Sequence, residues 1–330
     1  METGPGGIGI FFPPPEEEKE AEGKVYDVAV VGAGPAGLSA ALYAARKKLQ
    51  ILLVAKEVGG QIQLASTVEN FPGFKAISGR ELVGRFEEQV REYENVTWRL
   101  GEEVTGIAKD GEVFLLRTDR GKEYRAKTVI VATGRRHRQL GIPGEREFTG
   151  RGVSYCSICD APLFKDKPVA IVGGGNSGMM AVLDLAPYSP KIYLVEILDR
   201  LTADPVLVDR AEATGKTEFL LRHSVEEIKG DETVKSVRVR NLDTGEEREL
   251  DVRGVFVEVG TEPNSEFLKG FVNLTEGGEV AVDERCRTNV EGLFAAGDVT
   301  TVPEKQAVVA AGEGAKAALS AYRFLMERGG

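Results

Sequence analysis

At 330 residues, 42% of them hydrophobic, the chain is long enough for two domains with separate cores. Its formal net charge of −10 and pI near 5.1 argue against nucleic acid or an anionic membrane as the main partner. No apolar run reaches the roughly 18 residues of a membrane span, so a soluble, cytoplasmic protein is expected. Three cysteines are too few for a disulfide framework, which leaves a redox or metal role for Cys156 and Cys159 at C-x-x-C spacing. Structural zinc wants four ligands, but there is no second C-x-x-C and the histidines are His137 and His223 alone, so no metal is expected.

In chain order, residues 1–24 lack the basic start and continuous apolar region of a secretory signal. Three prolines followed by a charged run predict a flexible or extended tail, with docking through Ile8, Ile10, Phe11 and Phe12 as the alternative. Val25 to Val31 is valine-rich with little alternation, as in a buried parallel strand, and runs directly into Gly32, Gly34 and Gly37 at G-x-G-x-x-G spacing. A helix follows to about Arg46, then a strand over Ile51–Val54. This is the context of a dinucleotide turn. The first glycine permits the bend, the second lets backbone amides approach a pyrophosphate, and the third lets helix and strand pack. The ribose-binding acid is missing from the strand end, where Ala55 and Lys56 stand, although Glu57 follows.

Further along, Val129–Gly134 predicts a strand ending in Thr133-Gly134. The C-x-x-C spacing of Cys156 and Cys159 suits a disulfide closed from adjoining turns and a thiol of lowered pKa. Asp160 follows directly, in a position that also suits a helix cap. Pro168–Val172 predicts another strand, followed by a second fingerprint, Gly173, Gly175, Asn176 and Gly178, and a helix to about Ala186. Lys191–Val195 is the next strand and ends at Glu196, 18 positions after Gly178. An acid there can accept from both ribose hydroxyls and repel a 2′-phosphate; the alternative is a solvent-exposed strand-end Glu. Leu293 to Asp298 predicts a strand ending in Gly297-Asp298, with a helix after Gly312. Cys286, between Arg285 and Arg287, is either a thiol of lowered pKa or a packing residue.

From about Val25 to the end, VGAGPAGLSAALYAAR, GGQI, ENFPGF, ATG, CSICD, GGGNSG and AAGDVT occur in the order found in low-molecular-weight thioredoxin reductases. The chain most resembles the C-terminal flavoprotein portion of alkyl hydroperoxide reductase flavoprotein subunits, through GGGNSG and AAGDVTTVPEKQAVVAAGEGAKAALSA. The resemblance implies an α/β fold of two Rossmann-like domains. A discontinuous FAD domain (25–139 and 263–330) encloses an inserted nicotinamide domain (140–262) that carries the C-x-x-C, with residues 1–24 as the tail. The Gly141–Gly144 and Gly260–Asn264 stretches suit the crossings and read equally as surface loops.

The resemblance further implies FAD at the first fingerprint, held by Gly32, Gly34, Gly37, Gly60, Gln61 and Asn70 from the first part of the chain. Thr133, Gly134, Gly297, Asp298, Gln306 and Ala307 lie at the remaining matching positions. Cys159 would face the flavin, Cys156 would attack the partner disulfide, and Asp160 would move the proton. NADPH-dependent members carry His-Arg-Arg where this chain has Glu196-Ile197-Leu198, which predicts NADH preference, with Arg200 leaving room for some NADPH use. The implied activity is reduction of a thioredoxin- or glutaredoxin-like protein, by a homodimer whose domains rotate between half-reactions. The alternatives are a peroxiredoxin or alkyl hydroperoxide system reductase, an NADH oxidase, and a flavin redox sensor without turnover.

Overall fold

The computed structural model describes residues 23–328 apart from 65–67 and 69. The expected tail therefore lies outside the described residues, save Gly23 and Lys24. The first segment holds β1 (Val25–Ala33), α1 (Pro35–Arg46), β2 (Ile51–Val58), α2 (Gly79–Arg91), β3 (Val96–Leu100), β4 (Val104–Asp110), β5 (Val113–Thr118), β6 (Glu123–Val131) and β7 (Arg135–His137). Next come β8 (Val153–Ser154), α3 (Ser157–Asp160), β9 (Val169–Val172), α4 (Asn176–Leu185), β10 (Ile192–Glu196), α5 (Pro205–Ala213) and β11 (Thr217–Leu221). Strands β12 (His223–Gly230), β13 (Val234–Asn241), β14 (Glu247–Asp251), β15 (Gly254–Val257) and β16 (Thr261–Pro263) follow, and the chain closes with β17 (Leu293–Ala295) and α6 (Ala307–Arg328).

These elements divide into two compact units, one made from both ends of the chain up to Arg136 and from Pro263, the other spanning His137–Glu262. In the first, the sheet order is β3-β2-β1-β6-β5-β4, with β1, β2, β3 and β6 mutually parallel, β5 antiparallel to β6, and β4 antiparallel to β5. Strand β6 is shared lengthwise. Its first half, Glu123–Ala126, pairs with β5, and its last residues, Val129–Val131, pair in parallel with β17. The valine-rich β1 does not alternate because both its faces are covered: Val28 and Val30 pack with the small residues of α1 and α6, Ala29 and Val31 with Phe114, Leu116, Leu268 and Val280.

The inserted unit repeats the plan with an all-parallel sheet, β11-β10-β9-β15-β8. Ile171 and Leu194 on one face pack with Met179, Val182 and Leu185 of α4. Ala170, Val172 and Val195 on the other meet Val225, Val237 and Leu250 of the antiparallel sheet β12-β13-β14. Two sheets with parallel cores, each with a glycine turn between a central strand and the helix after it (β1 to α1, β9 to α4), make this the expected α/β architecture of paired Rossmann-like units.

Three local expectations are corrected. The last helix begins at Ala307 rather than after Gly312, with the Ala310 amide donating to Gln306 O at 2.8 Å. Gly312 lies inside it, because a helical glycine costs about 1 kcal/mol without breaking the hydrogen-bond ladder. Strand β2 runs on to Val58 instead of ending at Val54. Cys286 is free, fully buried and far from acidic: burial and neighbouring Glu313 push its thiol up to about 12, which leaves the packing reading.

Candidate functional site

Both glycine turns follow one stereochemical plan. Gly32 and Gly173 have φ of +105° and +115°, and a Cβ added to either would lie 2.3 Å from Ala132 O or 2.4 Å from Glu258 O. Both positions therefore require glycine twice over, for backbone conformation and for the neighbouring carbonyl. A Cβ on Gly37 or Gly178 would strike the carbonyl oxygen of Gly32 or Gly173 at 1.8 and 1.9 Å. The middle glycines differ. A Cβ on Gly34 would meet nothing closer than Gly59 O at 3.9 Å, and one on Gly175 nothing closer than Thr202 Oγ1 at 3.6 Å. Protein packing does not explain the lack of a side chain there, whereas close approach of a ligand to the backbone does. Gly34 and Gly175 are also the N-caps of α1 and α4 and, having no side chain, offer the first amides of these helices no capping acceptor, so these helix starts fit an anionic group.

Around the first turn the structure gathers the predicted residues from distant parts of the chain. Gly59 N donates to Ala33 O at 2.8 Å, a Cβ added to the neighbouring Gly60 would lie 3.6 Å from Gly34 Cα, and Gln61 Nε2 donates to Arg135 O. Thr133 follows the carbonyl under Gly32, donates from Oγ1 to Asn264 O at 2.7 Å and accepts Asn264 Nδ2 on its own carbonyl at 2.9 Å, while Gly134 O accepts from Asn264 N. A Cβ on Gly297 would meet Ala36 Cβ at 2.9 Å, so Asp298 stands beside the start of α1. Burial raises the Asp298 carboxyl pKa, opposed by Lys305 and Arg135. Asn70 Nδ2 donates to Gln306 Oε1 at 3.0 Å, joining residues 236 apart, and Ala307 opens α6 next to that contact.

In the inserted unit Glu196 is 8% exposed, which removes the solvent-facing alternative. Its Oε2 accepts the Gly174 amide at 2.5 Å and its Oε1 the Leu198 amide at 2.9 Å, and each oxygen keeps a further lone pair. Ile197 and Leu198 are 57% and 41% exposed, and Arg200 lies against Asp199 at 3.4 Å. Asn176 closes a ring with Asp204, donating from Nδ2 to Oδ2 at 3.1 Å and accepting the Asp204 amide at 2.7 Å.

Cys156 is disulfide-bonded and forms the N-cap of the short α3, whose backbone also carries Cys159. Its amide donates to Ser154 Oγ at 3.0 Å, and its carbonyl accepts from Asp160 N at 3.2 Å. Asp160 ends α3, and its side chain makes no capping bond, so the helix-cap alternative fails. Just upstream, buried Glu145 accepts the Leu140 and Gly141 amides at 2.8 Å each and the Tyr155 hydroxyl at 2.9 Å. Burial and Glu145 push the Tyr155 phenol up to about 12. Sequence reasoning missed Glu145, Asp184, whose Oδ2 accepts the Ser157 hydroxyl at 2.8 Å, and Glu258, whose carbonyl lies under Gly173. Glu258 carried the signal used for Glu196, an acid directly after an apolar strand. Among the described residues no group of His, Cys, Asp and Glu is placed to hold a metal, and no helix is long and apolar enough to cross a membrane.

The sequence pattern of the pyridine nucleotide-disulphide oxidoreductases matches residues 26–314. The chain is 42% identical over 314 residues to the F component of the alkyl hydroperoxide reductase of Pseudomonas putida, covering 94% of this chain and 60% of that protein. It is 41% identical to an NADH dehydrogenase of Bacillus subtilis over 93% of this chain and 60% of the relative. It thus spans about three fifths of the length of these curated relatives. Among solved structures it is similar to thioredoxin reductase of Lactococcus lactis, with TM-score 0.79, 37% identity and coverage of 92% and 99% of the two chains. The thioredoxin reductase of T. acidophilum gives TM-score 0.76 at 40% identity, covering 91% and 99%. With two glycine turns of one design and a disulfide-bonded C-x-x-C cysteine, the chain belongs to the pyridine nucleotide-disulphide oxidoreductases, in the thioredoxin reductase-like branch near the F components of alkyl hydroperoxide reductases.

Proposed function

We propose that the chain is an FAD-dependent, NADH-preferring reductase that passes electrons through Cys156 and Cys159 to a disulfide of a thioredoxin- or glutaredoxin-like protein. The observation that carries this reading is the pair of glycine turns whose middle glycines have room for a side chain within the protein, one in each unit, with disulfide-bonded Cys156 in the inserted one. FAD would be held by the Gly32–Gly37 turn, Gly60, Gln61, Asn70, Thr133, Gly134, Gly297, Asp298, Gln306 and Ala307, and the nicotinamide nucleotide by Gly173–Gly178 and Glu196. Bound flavin would supply a two-electron carrier able to take a hydride and reduce a disulfide. Of the chain's own groups, Cys156 would exchange with the partner, Cys159 would stay with the flavin, and Asp160 would hold or release the proton.

NADH preference is supported by the inventory at the end of β10: a buried carboxylate followed by two exposed aliphatic residues, where a 2′-phosphate would want arginines. The names of the alkyl hydroperoxide reductase relatives favour a second reading, in which the disulfide carrier in turn feeds a peroxiredoxin. A homodimer is proposed on family resemblance and is checked by sedimentation. The main test loads the protein with FAD and follows NADH oxidation against a panel of thioredoxin- and glutaredoxin-like proteins. Turnover that depends on one of these disulfides is expected. NADH oxidation indifferent to every protein disulfide, with oxygen as the acceptor, would overturn the reading.

A further inference from the structure

Of the two residues between the cysteines, Ile158 is 46% exposed and Ser157 is 8% exposed, so the short α3 turns its one hydroxyl inward. A buried hydroxyl needs a partner, and Ser157 Oγ donates to Asp184 Oδ2 at 2.8 Å, across 27 residues of chain. Helix α3 is a single turn, too short to persist unaided. Within it the Asp160 amide reaches Cys156 O at 3.2 Å and the Ala161 amide reaches Ser157 O, while its N-cap, Cys156, makes no side-chain capping bond. Asp184, by contrast, stands on a fixed element. It lies in the last turn of α4, whose Met179, Val182 and Leu185 are fully buried and pack with Ile171 and Leu194 of the sheet. A carboxylate in the last turn opposes the helix dipole, and no basic residue in that turn offsets it, so helix stability does not account for an acid here. Its service as acceptor for the inward hydroxyl of α3 does.

We propose that Asp184 is a positioning residue for the Cys156/Cys159 pair, holding the turn between the two cysteines in its disulfide-closed shape through the Ser157 hydroxyl. In the oxidised chain the S–S bond restrains α3 by itself. When two electrons and two protons convert that bond into two thiols, the covalent tie is gone, and the Ser157–Asp184 bond remains to hold the turn ready for closing again. Removing this hydrogen bond therefore frees the reduced chain more than the oxidised one, and the equilibrium moves toward the dithiol. The inference rests on the reading of Cys156 and Cys159 as the redox pair, and it deepens that reading with a residue that touches neither sulfur in its action.

The test needs neither nicotinamide nor a protein partner. The intact chain is equilibrated with mixtures of reduced and oxidised dithiothreitol, which closes its own disulfide as that of the chain opens. The mixtures are quenched in acid and alkylated, and the dithiol fraction at Cys156 and Cys159 is read by peptide mass spectrometry. Ser157→Ala and Asp184→Ala should each shift the equilibrium about three- to tenfold toward the dithiol, a change of about 14 to 30 mV in reduction potential. Asp184→Asn, which keeps an acceptor oxygen, should stay within about twofold of wild type. The double variant Ser157→Ala with Asp184→Ala should shift no further than either single variant, because both remove the same bond. Ser157→Ala deletes one oxygen and leaves α4 untouched, so its result decides the matter should Asp184→Ala fail to fold. An unmoved equilibrium in Ser157→Ala, a shift in Asp184→Asn as large as in Asp184→Ala, or additive shifts in the double variant would overturn the proposal. A shifted equilibrium in a chain that reduces no protein disulfide would sink the reductase reading and leave this one standing; turnover on a protein disulfide with an unmoved equilibrium would do the reverse.

Discussion

Glu145 accepts the Tyr155 hydroxyl at 2.9 Å while its two oxygens also hold the Leu140 and Gly141 amides, so one buried carboxylate pins the start of the inserted unit to the residue before Cys156. Glu145→Ala would strand two amides and a phenol without an acceptor. It should destabilise the inserted unit by about 2–4 kcal/mol in urea unfolding, against about 1 kcal/mol for Tyr155→Phe. Because Glu145 adds to burial in pushing Tyr155 up to about 12, Glu145→Gln should bring the phenol's ultraviolet titration back toward 10.0.

The glycine turns separate packing from ligand contact. Gly37→Ala and Gly178→Ala place a methyl inside van der Waals contact with a backbone carbonyl that cannot withdraw, and each should cost about 3 kcal/mol or more of stability. Gly34→Ala and Gly175→Ala meet nothing closer than 3.9 and 3.6 Å and should leave thermal stability of the ligand-free protein within about 1 kcal/mol of wild type. In these two variants the loss should fall on affinity for FAD and NADH respectively, measured by fluorescence titration.

The two cysteines should separate by optical signature. Cys159→Ser should abolish protein-disulfide reduction while NADH still bleaches bound flavin, because that reduction does not use the dithiol. Cys156→Ser should leave a Cys159 thiolate beside oxidised flavin and a long-wavelength absorption band. Appearance of the band in the Cys159 variant instead would exchange the two roles.

Cofactor choice turns on the residues after β10. Wild-type kcat/KM should favour NADH, and Glu196→His with Ile197→Arg and Leu198→Arg should invert that preference. A ~10²-fold discrimination corresponds to roughly 2.7 kcal/mol of transition-state binding, a size that one repulsion and two missing charge-assisted bonds can supply. Since Glu196 also holds the Gly174 and Leu198 amides, the triple variant should lose some stability as well.

Glu258 gives the fold its own pH dependence. Its folded carboxyl titrates at about 8 against 4.5 in the reference state, so between those values the native chain holds a proton that the unfolded chain has released. The associated stability is complete below about pH 4.5 and is lost as pH rises through about 8. Glu258→Gln should therefore unfold like wild type near pH 4.5 and become the more stable protein by pH 8, with a gap on the order of a few kcal/mol.

What the sequence disclosed was whatever local backbone rules impose. Gly32, Gly37, Gly173 and Gly178 are legible because strand, bend and helix must meet there, and the apolar runs feeding them read as strands covered on both faces. Gln306 and Asn70 were placed by resemblance, since nothing local couples residues 236 apart. Glu145, Asp184 and Glu258 were silent because a carboxylate's role there is set by burial and by partners that arrive from other strands. The start of α6 was misplaced for the opposite reason: Gly312 looked like a boundary, while the apolar run before it was already helical.

The division of β6 between two neighbours has a consequence for biosynthesis. One flank of Val129–Val131 pairs with Ala29–Val31 of β1, but the other obtains its partner only from Leu293–Ala295, which emerge from the ribosome after the whole of His137–Glu262. The inserted unit carries every strand of its own sheets in one continuous stretch and can complete them first, while the earlier residues wait with an open edge. In the nascent chain the unit that starts first therefore finishes last, and the open flank of β6 is the surface most in need of a chaperone until Ala295 arrives.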